Sequence, residues 1–516
     1  EAALLAALPK APSKYNPYKS IELAKKRRNL VLNNLKQNGY ISNKEFKKLS
    51  NKEIILKKRE IFLIKEAQSY TEEVRRIVKT DYGFEKLYSQ GLSISTPLNN
   101  EYQIAALNAL RFGIEQYDRR HGWRGPITNI FENKNWKNKI RNINLDKTLN
   151  WKIAKVIKVE NFESEIEIIK TNEKKKIVFE NLNWTRKKSF QTLIKEGDLV
   201  FVKKENKKWN LKQLPLVNGG IVAMDPYTGK VKALVGGYSF ESSEFNRVTQ
   251  AKRQPGSAFK PFVYISALDS GYTPSTLILD APYVIDQGPG LPKWKPANYT
   301  EEFFGLTTMR TGIEKSRNLM TIRLANKIGI EKILASAKNL EIDKYLEKNM
   351  SMSLGTGLVT LMDITNAYGI IANGGKKINP KFIKSIYSKD GNKIFDSSSK
   401  ECFGCILNEI TNSNKLPIIS NELEQVLDSK IAFQITSMME GVIKRGTAKS
   451  LNNLQIPLAG KTGTTNDNKD AWFIGYSPDL VVGVYVGYDK PKNLGYKQTG
   501  SSVAVPIFRD FIISSS

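Results

Sequence analysis

Apolar residues along this chain recur first at helical spacing, then in alternation, then in longer runs. In residues 20–39, SIELAKKRRNLVLNNLKQNG, the period is helical and Gly39 stops it. The next stretch, SNKEFKKLSNKEIILKK, repeats the pattern, so residues 1 to about 80 are expected to be largely helical. From 81 to 147, glycine, proline and aromatics interrupt the period, which predicts an irregular linker or pedestal. Between Trp151 and Leu214 the period falls to two. WKIAKVIKVE, ESEIEIIKT, KKKIVFE and DLVFVKKE are short alternating runs separated by charged turns, as in a small antiparallel β-domain.

A third pattern begins near Val217. GGIVAMDPYTGKVKALVGGY reads as a strand, a turn from Asp225-Pro226 to Gly229, and a returning strand. Helical spacing then dominates from about 257 to 376. Strands return in QIPLAGKTGTT, DAWFIGYSP and LVVGVYVGYD. Five strands split around a helical insert predict an α+β domain with one antiparallel sheet. GTGLVT at 355–360 reads as a helix lead-in, and the block 376–415 as a surface insert. Trp472 and Tyr476 read as sheet packing.

A length of 516 residues suggests about three domains. With 40% hydrophobic and 25% charged residues, the chain is expected to pack rather than stay disordered. Net charge is +29, but the lysines are spread along the whole chain, without Arg-rich tracts or aromatic stripes of the RNA-binding kind. No apolar run is long enough to cross a bilayer, and EAALLAALP is neither a signal peptide nor an anchor. The chain begins at Glu1, so we expect a piece of a longer protein whose anchor, if any, precedes it.

The two cysteines, Cys402 and Cys405, are too few for a zinc site by themselves; a local disulfide and a pair of free thiols both remain open. The single histidine, His121, lies in RRHGWRGP with no nucleophile motif beside it. Any serine mechanism here is therefore expected to use a base other than histidine.

The stretch LAGKTGTTND permits two chemistries. A phosphate-binding loop ending in Gly460-Lys461-Thr462 needs a glycine where Gln455 stands, and must open a helix. Poor helix formers and a strand follow instead, so that reading fails. An acyl-transfer site needs a nucleophile, a base and oxyanion donors. RQPGSAFKPF supplies Ser257 and Lys260, which share one helix face at that spacing. Pro261 is tolerated only in a first turn, which puts Ser257 at the helix N-terminus, where unpaired N–H groups can stabilise an oxyanion. S-x-N follows at Ser316-Arg317-Asn318, and K-T-G at Lys461-Thr462-Gly463. Single motifs are weak, since Ser397 to Lys400 and Ser450-Leu451-Asn452 also match. The three in this order, on helix, loop and strand, are specific together.

These motifs resemble the signature of penicillin-binding proteins and class A β-lactamases. Their flanks, FNRVTQAKRQPGSAFKPF, DPYTGKVKALVGG and KPANYTEEFFG, resemble class A high-molecular-mass penicillin-binding proteins of the 1A type. EAALLAALPKAPSKYNP resembles the closing segment of the glycosyltransferase domain in those bifunctional enzymes. The resemblance implies an α+β multidomain chain: a glycosyltransferase remnant at 1–50, a linker or pedestal at 51–147, a small OB-like β-domain at 148–214 and a transpeptidase domain at 215–516. The last domain is expected to hold a five-stranded antiparallel sheet flanked by helices.

The resemblance also implies roles. Ser257 is expected to be the acylated nucleophile and Lys260 its base, with its pKa lowered by Lys461 and by burial. Ser316 is expected to relay a proton, and Asn318 to hold the substrate amide. Lys461, Thr462 and Thr464 are expected to bind the donor's terminal carboxylate. Gly463 is expected to let the donor peptide lie against the strand edge. The N–H groups of Ser257 and Thr464 are expected to form the oxyanion hole.

The implied reaction is D,D-transpeptidation of peptidoglycan stem peptides, with β-lactams acylating the same serine and no metal or organic cofactor. Implied partners are stem peptides, lipid-linked precursor, a membrane anchor outside this chain and cell-wall regulators, but no nucleic acid. The implied setting is the periplasmic side of a bacterial inner membrane. The catalytic glutamates of the glycosyltransferase belong upstream of Glu1, so no chain lengthening is expected from this piece. A β-lactamase reading lacks an E-x-x-L-N loop between 318 and 461. A D,D-carboxypeptidase and a non-turnover penicillin-binding sensor remain the alternatives.

Overall fold

The structure is a computed structural model that describes residues 1–56, 64–286, 290, 293–398, 402–403, 418–419 and 423–515. It divides into two compact units, within 1–63 and 64–516. In the first unit, the helices Ala2–Ala7, Ile21–Gln37 and Asn43–Asn51 follow the predicted pattern. Ser20 caps the second helix, and Ser42 with Glu45 forms a reciprocal capping box on the third. The buried Arg28 donates to the carbonyls of Ser50 (2.8 Å) and Lys52 (2.7 Å), tying the two helices together.

In the second unit, the strands Asn218–Met224, Val231–Val235, Ala459–Thr464, Asp470–Tyr476 and Val481–Gly487 form one antiparallel sheet. In spatial order the three C-terminal strands come first, with Ala459–Thr464 at the edge, and Asn218–Met224 pairs with Val481–Gly487. The expected five-stranded sheet is present. Both its faces are covered, which explains why its strands read as apolar runs rather than alternations. One face carries the helices Lys260–Asp269, Leu361–Ala372 and Ser429–Lys444. The other carries Asn100–Arg120 and Gly500–Ser515. Trp472 and Tyr476 are buried, in keeping with sheet packing.

The stretch 81–147, expected to be irregular, contains the 21-residue helix Asn100–Arg120. This helix packs on the strands Asn218–Met224 and Val231–Val235 and along its side against Gly500–Ser515, so small and apolar residues occur around most of its circumference and the two-sided pattern disappears. Gln103 anchors it to the far edge of the sheet by exchanging hydrogen bonds with the N–H and C=O of Leu234 (2.9 Å each).

The alternating segment forms the expected small β-domain, a barrel that is antiparallel except where Glu173–Val178 meets Lys208–Lys212 in parallel. The strands Lys152–Val159, Glu163–Ile168, Glu173–Val178, Lys208–Lys212 and Asp198–Glu205 pair in a closed ring, with Thr128–Asn129 added outside. Val156, Ile166, Ile177, Val200 and Leu211 fill its core. Within 376–415, Ser385–Tyr387 and Lys393–Asp396 form a small sheet with Ser93–Ser95. Cys405, the side chain of Cys402 and Lys400 lie outside the described residues, and with them the pairing of the two thiols.

Candidate active site

The first motif sits on a turn that backbone contacts hold from three sides. Gly256 has φ +54°, a conformation that favours glycine, and its N–H donates to Gly355 O at 3.1 Å. The short 3₁₀ turn Gly256–Phe259 then runs into the helix Lys260–Asp269, with Pro261 in its first turn as expected. Arg253 and Val359 exchange two backbone bonds of 2.9 Å, and the buried Tyr368 hydroxyl donates to Ala258 O at 2.7 Å. Gly355, φ +79°, ends the 3₁₀ turn Met350–Leu354 and opens the lead-in 355–360, and Thr360 caps the following helix. Ser257 is half-buried at the start of the turn, where N–H groups have no intrahelical partner.

The second and third motifs meet the first through its lysine. Lys260 is fully buried, and its Nζ donates to Ser316 O (2.6 Å), Ser316 Oγ (3.2 Å) and Asn318 Oδ1 (2.8 Å). Lys461, also fully buried, donates to the same Ser316 Oγ (2.9 Å) and to Thr462 O (3.0 Å). Ser316 thus lies between two lysines, and it sits at φ +57°, a costly conformation for a non-glycine residue. Burial, then the charges of Lys461 and Arg317, push Lys260 well below the ordinary lysine range. Burial pushes Lys461 down to about 7. Lys260, Ser316, Asn318 and Lys461 form one hydrogen-bonded cluster. Ser257 lies three residues before Lys260 on the same turn and helix, and the three bonds of Lys260 Nζ all go to the second motif.

The strand alternates around this cluster. Thr465 N bonds Asp470 O at 3.2 Å, which sets the ladder so that the backbone groups of Thr462 and Thr464 face the open edge. Thr462 Oγ1 pairs with Thr447 Oγ1 at 2.6 Å, and Thr464 Oγ1 accepts from Gly500 N at 3.1 Å. The structure gives a different reason for Gly463 than peptide access. A Cβ there would lie 2.4 Å from Pro255 O and 3.0 Å from Ala258 Cβ. The missing side chain lets the edge strand pack against the nucleophile's turn.

Sequence reasoning missed several supporting residues. Asn298 accepts from Asn318 N (2.9 Å) and Leu319 N (3.3 Å), capping the helix Asn318–Ile328 from another segment. Asn318 Nδ2 donates to Ala297 O at 2.8 Å. KPANYTEEFFG was a motif by resemblance, but nothing in its pattern marked Asn298 as a cap. Thr447 donates its N–H to Glu314 O (3.2 Å) as well as meeting Thr462. Arg445 pairs with the buried Glu314. Arg445→Ala leaves that carboxylate without its ion partner. Because Arg445 is itself half-exposed, the expected cost is about 2 kcal/mol, read as a lower urea midpoint; an unchanged midpoint would show that the pair holds nothing in place.

Among the described residues His121 bonds two backbone carbonyls, Tyr117 O (3.0 Å) and Leu494 O (3.1 Å). Among the described residues no three His, Cys, Asp or Glu side chains converge on a metal-sized space.

Comparison with known proteins agrees with this geometry. Residues 219–512 match the family described as penicillin binding protein transpeptidase domain, and residues 123–217 the penicillin-binding protein OB-like domain. The chain is 44% identical over 99% of its length to penicillin-binding protein 1A of Rickettsia typhi, and 33% identical to that of Neisseria gonorrhoeae. It spans 66% and 63% of the length of those two relatives. The crystal structure of penicillin-binding protein 1A from Haemophilus influenzae superposes with a TM-score of 0.77 at 29% identity, covering 99% of this chain and 79% of that one. The chain belongs to the penicillin-binding proteins, among the class A members of the 1A type.

Proposed function

We propose that this chain is the transpeptidase portion of a peptidoglycan synthase and cross-links stem peptides through an acyl-enzyme on Ser257. The observation that carries the reading is the cluster of Lys260, Ser316, Asn318 and Lys461, with both lysines buried and the half-buried Ser257 opening the turn that leads into Lys260. A lysine that burial and neighbouring cations hold neutral can take a proton that an ordinary, charged lysine cannot.

In its neutral form the Lys260 amine keeps two of its three donor bonds, and its lone pair removes the Ser257 hydroxyl proton as Oγ attacks the carbonyl of the D-Ala-D-Ala bond. The backbone N–H groups of Ser257 and Thr464 receive the oxyanion. Ser316, touched by both lysines, passes a proton to the departing nitrogen, and the terminal D-Ala leaves with its amine. Lys461, Thr462 and Thr464 hold that residue's carboxylate, and Asn318 the peptide amide. An amine of a neighbouring stem then attacks the Ser257 ester. Its proton returns through Ser316 and Lys260, and the serine hydroxyl is restored. β-Lactams follow the first half of this course and stop at the ester.

No helix among the described residues is long and apolar enough to cross a membrane. The whole protein is proposed to be anchored in a bacterial inner membrane, with this portion on the periplasmic side and a glycosyltransferase domain before it. Lipid-linked precursor and cell-wall regulators would then act on the parent. Peptide mapping after incubation with a penicillin tests the assignment: the adduct is expected on the peptide that contains Ser257. Folded protein that carries no adduct, or carries it elsewhere, would remove the reading.

A further inference from the structure

Asp280 ends the strand Leu277–Asp280, and no part of it reaches solvent. Its Oδ1 accepts from Asn298 Nδ2 at 2.7 Å. Asn298 is buried as well, and its own Oδ1 caps the N–H groups of Asn318 and Leu319. The residue at the usual cap position, Arg317, makes no such bond. A buried carboxylate therefore fixes the start of the helix that presents Asn318 to Lys260.

Among the described residues the second oxygen, Oδ2, has no hydrogen-bond donor, and Arg317 Nε stands 3.8 Å away as its ion partner. A buried carboxylate oxygen without a donor is costly, so something local must offset it. The cation beside it is Arg317, from the second motif. Lys260, on the nucleophile's helix, joins the same network through Asn318, whose Oδ1 it meets at 2.8 Å and whose N–H Asn298 caps, and Lys461 reaches Ser316 from the edge strand. Tyr264 is the other titratable group that feels Asp280, and Glu302 acts on Arg317. Lys461 and Arg317 both disfavour a proton on Lys260, and Asp280 opposes them.

We propose that Asp280 is a positioning residue of this site: through Asn298 it fixes where Asn318 stands, and its second oxygen, beside the Arg317 guanidinium, provides the negative charge that lets Lys260 accept a proton between two other cations. The inference rests on the acyl-transfer reading above. A base buried among cations alone would stay neutral but would be too weak to take the serine proton. A carboxylate behind it restores part of that basicity.

Asp280→Asn tests this, because an amide keeps the shape and can still accept from Asn298. The readout is the second-order rate of acylation by a chromogenic cephalosporin as a function of pH. The variant's acid limb is expected to move to lower pH by about half a unit or more, with a slower plateau. Asn298→Ala keeps the carboxylate and removes the cap, so its plateau is expected to fall with the acid limb in place. An acid limb in Asp280→Asn that coincides with wild type overturns the electrostatic role. Wild-type rates in Asn298→Ala overturn the positioning role, and that arm stands even where Asp280→Asn does not fold. Wild-type protein that is not acylated at all would instead count against the acyl-transfer reading itself.

Discussion

Ser257→Ala is expected to lose covalent labelling by a fluorescent penicillin completely, and Lys260→Ala to slow it by roughly 10³-fold or more. The first change removes the atom that forms the ester. The second removes the proton acceptor. It also frees Ser316 and Asn318 from the hydrogen bonds that join the first motif to the second. The pH dependence separates the two lysines. Only neutral Lys260 can act as base, so acylation rises with pH through its titration. Burial and the charges of Lys461 and Arg317 place that rise well below the ordinary lysine range. Lys461 must carry charge to attract the ligand's carboxylate. Burial brings it to about 7 in the free protein, so the second-order rate is expected to fall again above that pH. Labelling of a boiled sample controls for adventitious reaction. A band that survives in folded Ser257→Ala would move the nucleophile elsewhere, and a rate still climbing from pH 7 to about 10 would exclude the assigned roles of the lysines.

Gly256→Ala and Gly463→Ala are expected to disable the site by pushing its two halves apart. At Gly256 a Cβ would fall 2.3 Å from Thr464 O, and the backbone is at φ +54°, so contact and conformation both oppose alanine. The combined cost is about 2–5 kcal/mol, a large part of a typical domain's total stability. At Gly463 only the contact applies, with Pro255 O at 2.4 Å and Trp472 Cβ at 2.9 Å. The expected cost there is about 1–3 kcal/mol. A shift of even 1 Å between the serine and the strand should slow acylation roughly 10²-fold. Gly271→Ala is the control: its φ is +87° but nothing lies within 4 Å of a Cβ, so it should cost about 1 kcal/mol and leave acylation unchanged. Thermal midpoints and acylation rates of the three variants distinguish strain from collision. Wild-type behaviour in Gly463→Ala would mean that the strand and the turn do not touch as described.

Much of the site was legible because its chemistry is local. Three short motifs named Ser257, Lys260, Ser316, Asn318 and Lys461, the last four of which meet in one hydrogen-bonded cluster, and Pro261 fixed where the helix of the first motif begins, since proline is confined to a first turn. The hairpin 219–238 and the barrel strands announced themselves by turn residues and alternation. The pedestal helix Asn100–Arg120 did not, because burial on two faces removes the polar stripe by which a surface helix is recognised.

What tertiary structure alone decided is how distant segments converge. No spacing in the chain says that Asn298 caps Asn318, that Thr447 meets Thr462, or that Gly355 and Gly463 lie against the nucleophile's turn. Burial of Lys260 was implied by the resemblance, but nothing in the sequence said that Lys461 is buried too, which lowers its own pKa. Residue type and short spacing determine which reactive groups are available and which local conformations carry them. Desolvation, hydrogen-bond partners and steric fit depend on what surrounds a group in space, so the electrostatics of this site arise only when the edge strand, the Ser316 loop and the nucleophile's helix close on one another.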